Sequence, residues 1–267
     1  MLMDKVSVII PTFNRFNLLI DAINSVRKQT YTNIEIIVIN DGSTQNEYYE
    51  YDFGKDVLIV HLEKNSKELY GHYCPGSITR NKGLELATGK YIAFLDDDDI
   101  WFPNKLEEQI NAMKNSDYKI CCSEALSGEG PYDESKKSSY KLFLRERFWN
   151  DILIIFNKKG KVELLVESMN SGHFTLELLK VHNIISMSNI IIEKEIIDKA
   201  GVFKLLPYAE DWDFYMRILQ YSDLKYIDKP QTYLNRNPEN NINYIEELDD
   251  DGKKGLYEHF NNIVGSL

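Results

Sequence analysis

"KYIAFLDDDDIWFPNKL", Lys90 to Leu106, sets the terms on which the rest of the chain is read. An apolar, β-prone run, Tyr91 to Leu95, passes straight into four consecutive aspartates, Asp96 to Asp99. A strand that is apolar on both faces belongs in a parallel sheet covered by helices on both sides. Four like charges at its end repel one another, so something positive is expected beside them. In open α/β sheets ligands bind beyond the carboxyl ends of the strands, and this acidic cluster falls at such an end.

Upstream, the pattern repeats. "VSVII" (Val6 to Ile10), "IEIIVIN" (Ile34 to Asn40) and "VLIVHLE" (Val57 to Glu63) read as buried strands. Between them, "NLLIDAINSVRKQ" (Asn17 to Gln29) carries Leu18, Leu19, Ala22, Ile23 and Val26 at helical spacing. "SITRNKGLELA" (Ser77 to Ala87) reads as a helix that Thr88 and Gly89 end. The alternation implies an α/β fold with a Rossmann-like, mostly parallel central sheet and helices on both faces. Polar motifs follow three of the strands: "PTFNR", "NDGS" and "DDDD".

Downstream, Pro103 suits the first turn of a helix whose apolar face is Leu106, Ile110 and Met113. "YKICCSEAL" reads as a strand and Ser127 to Lys141 as a polar loop. Residues 142–180 have no clear period. Ile184 to Phe203 reads as a strand and then a short helix, and Ala209 to Ser222 as a helix with acids at its start. The tail from Pro230 is polar, with "EELDDDGKKG" a solvated turn.

Bulk composition removes several classes. Of 267 residues, 31 are basic and 42 acidic, a formal charge of −11 that argues against a nucleic-acid partner but not against a single nucleotide. No apolar run approaches the ~20 residues of a membrane-spanning helix, and "MLMDKVSVII" does not read as a signal peptide. These features lead us to expect a cytoplasmic protein, free or peripheral to a membrane. The three cysteines, Cys74, Cys121 and Cys122, form neither a disulfide framework nor a zinc pattern and read as reduced thiols.

Alternation along a strand would put Asp96 and Asp98 on one face, about 6–7 Å apart. A hard cation, magnesium or manganese, takes one or two such carboxylates together with a ligand's phosphates. The competing reading is a solvated acidic loop at the N-terminus of the next helix. Arg80, near the start of the helix leading into the acidic strand, could reach a phosphate or a base, or pair with one of the surface acids. Neither a P-loop nor a G-x-G-x-x-G motif is present, so phosphates would be met by metal and arginine. In "EDWD", Glu210 to Asp213, a carboxylate at a helix start could serve as a general base; helix capping explains the same acids equally well.

Taken in order, "VSVIIPTFNR", "IEIIVINDGS", "ITRNKGLELATGKYIAFLDDDDIWFPNKLE" and "AEDWDFYMRIL" resemble family 2 glycosyltransferases over residues 5 to about 115 and again over 184–220. The resemblance implies a GT-A fold. It divides the chain into a nucleotide-sugar half (1–115), an acceptor and catalytic-base half (116–227) and a C-terminal extension (228–267). It implies inverting transfer of a sugar from a nucleoside-diphosphate sugar, UDP-linked by preference, to a hydroxyl of a glycan, lipid-linked or protein acceptor. Carried over by motif, Pro11, Thr12, Phe13 and Arg15 would line the base pocket and Asp41 would contact the base. Arg80 would contact the nucleotide, Asp96 and Asp97 the ribose and donor sugar, and Asp98 a Mn2+ or Mg2+ ion. Asp211 would be the base, with Glu210 beside it.

One departure stands out. Relatives often carry a histidine after the strand that follows "EDWD"; here "YLNRNPENN" has Arg236 and Asn237. None of His61, His72, His173, His182 and His259 takes that place, so water or Arg236 would substitute. His173 could face an acceptor, though a loop histidine is more commonly structural. Tyr132, Tyr140, Phe143, Phe148, Trp149, Phe156 and Phe174 could stack on sugar rings or fill the core. A catalytically silent nucleotide-sugar-binding or scaffold protein is the alternative from another class. A nucleotidyltransferase would need a glycine-rich, lysine-bearing loop after the first strand, which "PTFNRFN" lacks.

Overall fold

A computed structural model describes residues 3–70, 75–206 and 209–237. Cys74, His72, His259 and the acidic tail turn lie outside the described residues.

The first third alternates strand and helix. It runs β1 (Val6–Thr12), α1 (Phe16–Arg27), β2 (Ile34–Asn40), α2 (Glu47–Glu50), β3 (Val57–His61), α3 (Ser66–Tyr70), α4 (Pro75–Leu86) and β4 (Tyr91–Phe94). These strands pair in parallel in the order β3-β2-β1-β4. Both faces of β1, β2 and β4 are buried, as their unbroken apolar runs require, but β3, at the sheet edge, is only half-buried and leaves Leu58 exposed, so it is not the buried strand its composition predicts. Ile9, Ile37, Ile39, Ile92 and Phe94 face one core, and Val8, Ile10, Ile36, Val38 and Ala93 the other. Each fully buried aliphatic side chain contributes about 1.5–3 kcal/mol, so slipping a strand by one residue would still bury apolar groups; the parallel hydrogen-bond registers fix the alignment.

The chain then adds β5 (Ile100–Trp101), α5 (Lys105–Lys114), β6 (Ile120–Gly128) and β7 (Lys141–Leu142). A π-helical turn, Phe143–Arg147, leads into α6 (Trp149–Lys158), α7 (Val162–Ser171), β8 (His173–Phe174) and α8 (Leu176–Val181). A 3-10 turn, Met187–Asn189, precedes β9 (Ile191–Glu193), α9 (Lys194–Ala200), α10 (Glu210–Ile218) and β10 (Leu224–Asn235). The sheet continues β4-β9-β6-β10-β5, with β9 antiparallel to both its neighbours and β6 parallel to β10. The result is the mixed, mostly parallel α/β architecture expected from the alternation.

Three local expectations are corrected. Pro103 lies ahead of α5, not in its first turn, because Ile100 and Trp101 are held as a short strand against β10 and Lys105 N bonds back to Phe102 O (3.1 Å). Residues 142–180 are largely helical; their period is hidden because α6 fully buries only Ile152 and Phe156 while leaving Ile154 exposed. The polar tail expected from Pro230 begins later, because β10 runs through position 228 to Asn235 and keeps Gln231 to Asn235 buried in the sheet.

β2 and β3 lie on one side of β1 and β4 on the other. The chain therefore reverses its direction of travel across the sheet at β1, and a crevice opens beyond the carboxyl ends of β1 and β4. The segments after those strands are "FNR" and "DDDD".

Candidate active site

The loop after β1 turns sharply. Asn14 is left-handed (φ 53°), a conformation Asn tolerates better than most residues, and its Oδ1 accepts from Thr44 N at 2.8 Å. That turn presents Arg15 to the acidic cluster: Nη1 donates to Asp97 Oδ1 and to Asp98 Oδ2, both at 3.1 Å. Thr12 Oγ1 and Arg15 N both bond the Tyr48 hydroxyl (2.7 and 2.9 Å). Phe13 is 43% exposed at the strand end. Pro11 is half-buried within β1. Asp41 is buried: Oδ1 accepts from Ser66 N (2.8 Å) and Oδ2 from Ser66 Oγ (2.6 Å) and Asn65 Nδ2 (3.2 Å). In this structure its carboxylate secures the start of α3. Gly42 makes the approach possible, since its φ is 70° and a Cβ there would stand 2.7 Å from Asn65 N.

The acidic run is a turn, not a continued strand. β4 ends at Phe94, and Asp99 N bonds Asp96 O at 3.1 Å. The alternation expected for Asp96 and Asp98 therefore gives way, because the turn sends each carboxylate to a different partner. Asp96 Oδ1 accepts from Arg80 Nη2 at 2.8 Å. Asp97 and Asp98 share Arg15. Asp99 is buried and accepts from Ser188 Oγ (2.6 Å) and Asn235 N (2.9 Å), which ties the turn to β10.

Arginine thus answers part of the repulsion, but not all of it. Burial pushes the Asp97 carboxyl up to about 7 against the pull of Arg15. Burial and the Asp96 charge push Asp98 up to about 6. Asp97 Oδ2 is buried with no hydrogen-bond partner. Raised acids and an orphaned oxygen would fit a further cation, which Asp98, with that Asp97 oxygen beside it, would hold. Among the described residues no group of three His, Cys, Asp or Glu side chains is spaced to hold a metal. The remaining ligands would be phosphate oxygens and water, as magnesium commonly takes them.

α4 packs over β1 and β2 and delivers Arg80. The side chain is only 10% exposed and bridges the two acidic motifs, donating to Asp96 and, through Nη1, to Glu210 Oε1 at 3.3 Å. Gly76 leaves room for it: a Cβ there would lie 2.4 Å from Arg80 Nη1 and 3.0 Å from Glu210 Oε1.

"EDWD" opens α10. Its N-cap, Ala209, is left-handed (φ 51°), which costs a residue with a Cβ about 1–2 kcal/mol. The three acids then separate by helical geometry. Asp213 is 1% exposed and pairs with Arg217 Nε (2.8 Å) and Lys204 Nζ (3.0 Å). Asp211 points into a cavity. Its Oδ1 accepts from Trp212 N (2.7 Å) and its Oδ2 from Asn183 Nδ2 (3.1 Å). Burial, then the Glu210 charge, pushes Asp211 up to about 6, with the Trp212 amide and Arg80 acting in the opposite direction.

The cavity, about 370 Å³, is lined by Asp96, Arg80, Glu210 and Asp211. Phe143, Leu144, Phe148 and Ile152 form an apolar wall, and Arg236 also lines it. Buried Glu124 fixes that wall by accepting from Leu144 N (3.0 Å) and Arg145 N (3.1 Å). The Arg236 guanidinium lies 5.0 Å over the Phe143 ring. Of the other aromatics, Phe156 and Phe174 are core, and Tyr132 and Tyr140 cluster with Tyr233. His173 bonds Asp223 (2.8 Å) at the β8–β10 pairing and does not line this cavity. His182 does line it, edge-on to Trp212 at 5.6 Å. Sequence reasoning gave no role to Asn183, Glu124, Ser188 or Gly76, because each acts on a residue far away in the chain or through space that only the fold defines.

The family model of glycosyl transferase family 2 matches residues 7–182. The chain is similar to an uncharacterized glycosyltransferase of Rickettsia bellii, 43% identical over 137 residues (50% of this chain, 19% of that one). It is also similar to the Escherichia coli UDP-Glc:alpha-D-GlcNAc-diphosphoundecaprenol beta-1,3-glucosyltransferase WfgD, 34% identical over 148 residues (52% of this chain, 55% of that one). Among solved structures it resembles S. aureus TarS 1-349 in complex with UDP-GlcNAc, with a TM-score of 0.60 at 20% identity over 87% of this chain and 58% of that one. It likewise resembles the Pyrobaculum calidifontis mannosyltransferase PcManGT in complex with GDP-Man and Mn2+, with a TM-score of 0.59 at 15% identity over 90% of this chain and 59% of that one. These likenesses show a glycosyltransferase fold of the GT-A type. The chain spans between 19% and 59% of the length of these four proteins. No helix among the described residues is long and apolar enough to cross a membrane.

Proposed function

The chain belongs to glycosyl transferase family 2, and we propose that it moves a sugar from a nucleoside-diphosphate sugar to a hydroxyl of a glycan by a single, inverting displacement. The observation that carries this reading is one cavity that brings the two acidic motifs together. Asp211, a carboxylate with a pKa raised to about 6, stands in the same cavity as an arginine that binds the acidic turn, Arg80 on Asp96.

The roles follow from position. Phe13, exposed beside Thr12 and Pro11 at the end of β1, offers a face for the base to stack on. Arg15 orients Asp97 and Asp98. Arg80 holds Asp96 toward the donor sugar and, with Arg236, meets the diphosphate charge. Asp211 takes the proton of the acceptor hydroxyl. The hydroxyl oxygen forms its bond to the anomeric carbon as the bond to the diphosphate breaks, and that electron pair leaves on the phosphate oxygen. One displacement inverts the centre. Glu210, held by Arg80, keeps negative charge beside Asp211 and so keeps it basic. The apolar wall of Phe143 and Phe148 offers a surface to the acceptor. A divalent cation at Asp98, when bound, would neutralise charge on the departing diphosphate as a Lewis acid.

UDP is the favoured nucleotide, since the names of the E. coli relative and of the TarS complex carry it. Calorimetric titration with UDP-glucose, UDP-GlcNAc and GDP-mannose, with Mn2+ and with chelator, tests the reading. Binding of one donor strengthened by cation supports it. Binding of none moves the weight to a silent scaffold with this fold.

A further inference from the structure

We infer that Asn183 is a positioning residue for Asp211, fixing the rotamer of the base through a hydrogen bond that adds no charge beside it. The inference rests on the role proposed above for Asp211.

The geometry is constrained at both ends of the Asn183 side chain. Oδ1 accepts from Ile185 N at 3.0 Å, and Nδ2 donates to Asp211 Oδ2 at 3.1 Å. Flipping the amide would set an oxygen against a carboxylate and an NH2 against an N–H, so its orientation is fixed by its partners. α8, which leads into Asn183, is itself anchored to α10, because Trp212 Nε1 donates to Leu179 O at 2.7 Å and the Trp212 ring meets His182 just after that helix. Asp211 thus receives one donor on each oxygen, Trp212 N on Oδ1 and Asn183 on Oδ2. A carboxylate has about four lone-pair sites, so acceptor capacity is left for an incoming hydroxyl proton.

The neutrality of the donor matters. Two residues on, Asp213 is held by the cations Lys204 and Arg217. A cation in Asn183's place would favour the ionised acid and weaken it as a base. The charged and titratable groups facing Asp211 are Glu210 and Tyr215 on its own helix, Arg80 from α4, and Asp96 from the turn after β4. Asp151, His182 and Arg236 share the cavity from other elements. Among them Asn183 orients Asp211 without adding charge.

Carbon-13 NMR titration of aspartate carboxyl carbons tests this without any substrate. The Asp211 resonance is identified by its loss in Asp211→Asn. In Asn183→Ala, loss of a donor to the ionised form should move the Asp211 midpoint upward by about one pH unit, with the melting temperature near that of the parent protein. Asn183→Asp, of the same shape but without the donor and with a like charge, should move it further upward. It also carries the test if the alanine variant fails to fold. An Asp211 midpoint unchanged in both variants overturns the inference. Turnover that survives Asp211→Asn would instead remove the base role and leave the measured coupling in place.

Discussion

The molecule contains two runs of acid, Asp96–Asp99 and Glu210–Asp213, which look alike on paper and are built differently. In the turn after β4, consecutive residues diverge: Asp96 meets Arg80, Asp97 and Asp98 meet Arg15, and Asp99 is buried on Ser188 and Asn235. In α10 the 3.6-residue repeat separates them. Asp213 is turned inward to Arg217 and Lys204, while Glu210 and Asp211 line the cavity. Each run contains one acid that holds the fold, Asp99 or Asp213, and at least one that lines the cavity, Asp96 in the turn and Glu210 and Asp211 in the helix. The turn is matched to arginines, Arg80 and Arg15. The helix start keeps one acid away from direct cation contact, which a base requires.

This difference predicts separable defects. The largest effect belongs to Asp211→Asn, which should lower turnover by about 10²–10⁴-fold, the usual contribution of a general base, with donor affinity retained in a binding titration. Next is Asp213→Ala. It removes a buried carboxylate shared by Arg217 and Lys204, though Arg217 keeps its bonds to the Ala200, Gly201 and Val202 carbonyls and Lys204 is half exposed, and should cost about 1.5–3 kcal/mol of stability in chemical denaturation, through the fold alone. Equal loss of turnover at constant stability in both variants would break the comparison.

The pH dependence sharpens it. The ionised form of Asp211 is the active one, so kcat/KM should fall about tenfold per pH unit below about pH 6, a limb displaced upward from the ordinary range near 4. The same raised acid carries a stability signature. Between about pH 4 and about pH 6 the native state keeps a proton that the unfolded chain has released. The contribution of Asp211 to stability is therefore full below that window and is lost as pH rises through it. Asp211→Asn should remove that slope from a denaturation series. The smallest effect is expected at Asp99→Asn. Its partners are a hydroxyl and a backbone N–H, not cations, so the change should stay within about 1.5 kcal/mol by melting temperature.

Much of this was legible in the chain. Apolar strands ending in polar motifs mark the parallel sheet and its carboxyl ends, and the two acidic motifs and Arg80 stand out in the sequence by type and spacing. What the sequence could not carry was the sorting of like residues. Nothing in "DDDD" says that Asp99 will be tied to β10, since that depends on Asn235, 136 positions away. Nothing in "EDWD" says which acid meets Asn183, 28 positions upstream. The strand alternation expected for Asp96 and Asp98 was replaced by a turn because Asp99 bonds back to Asp96. Nothing in "NDGS" says that Asp41 will also hold the start of α3, since Ser66, 25 positions away, supplies both donors.

The central claim is that the turn binds the donor and the helix start supplies the base. Calorimetric titration of UDP-glucose and UDP-GlcNAc with Mn2+ into the parent protein, Asp98→Ala and Asp211→Asn tests it most directly. The account predicts that cation-dependent donor binding is lost in Asp98→Ala and kept in Asp211→Asn. Binding kept in Asp98→Ala and lost in Asp211→Asn would contradict it.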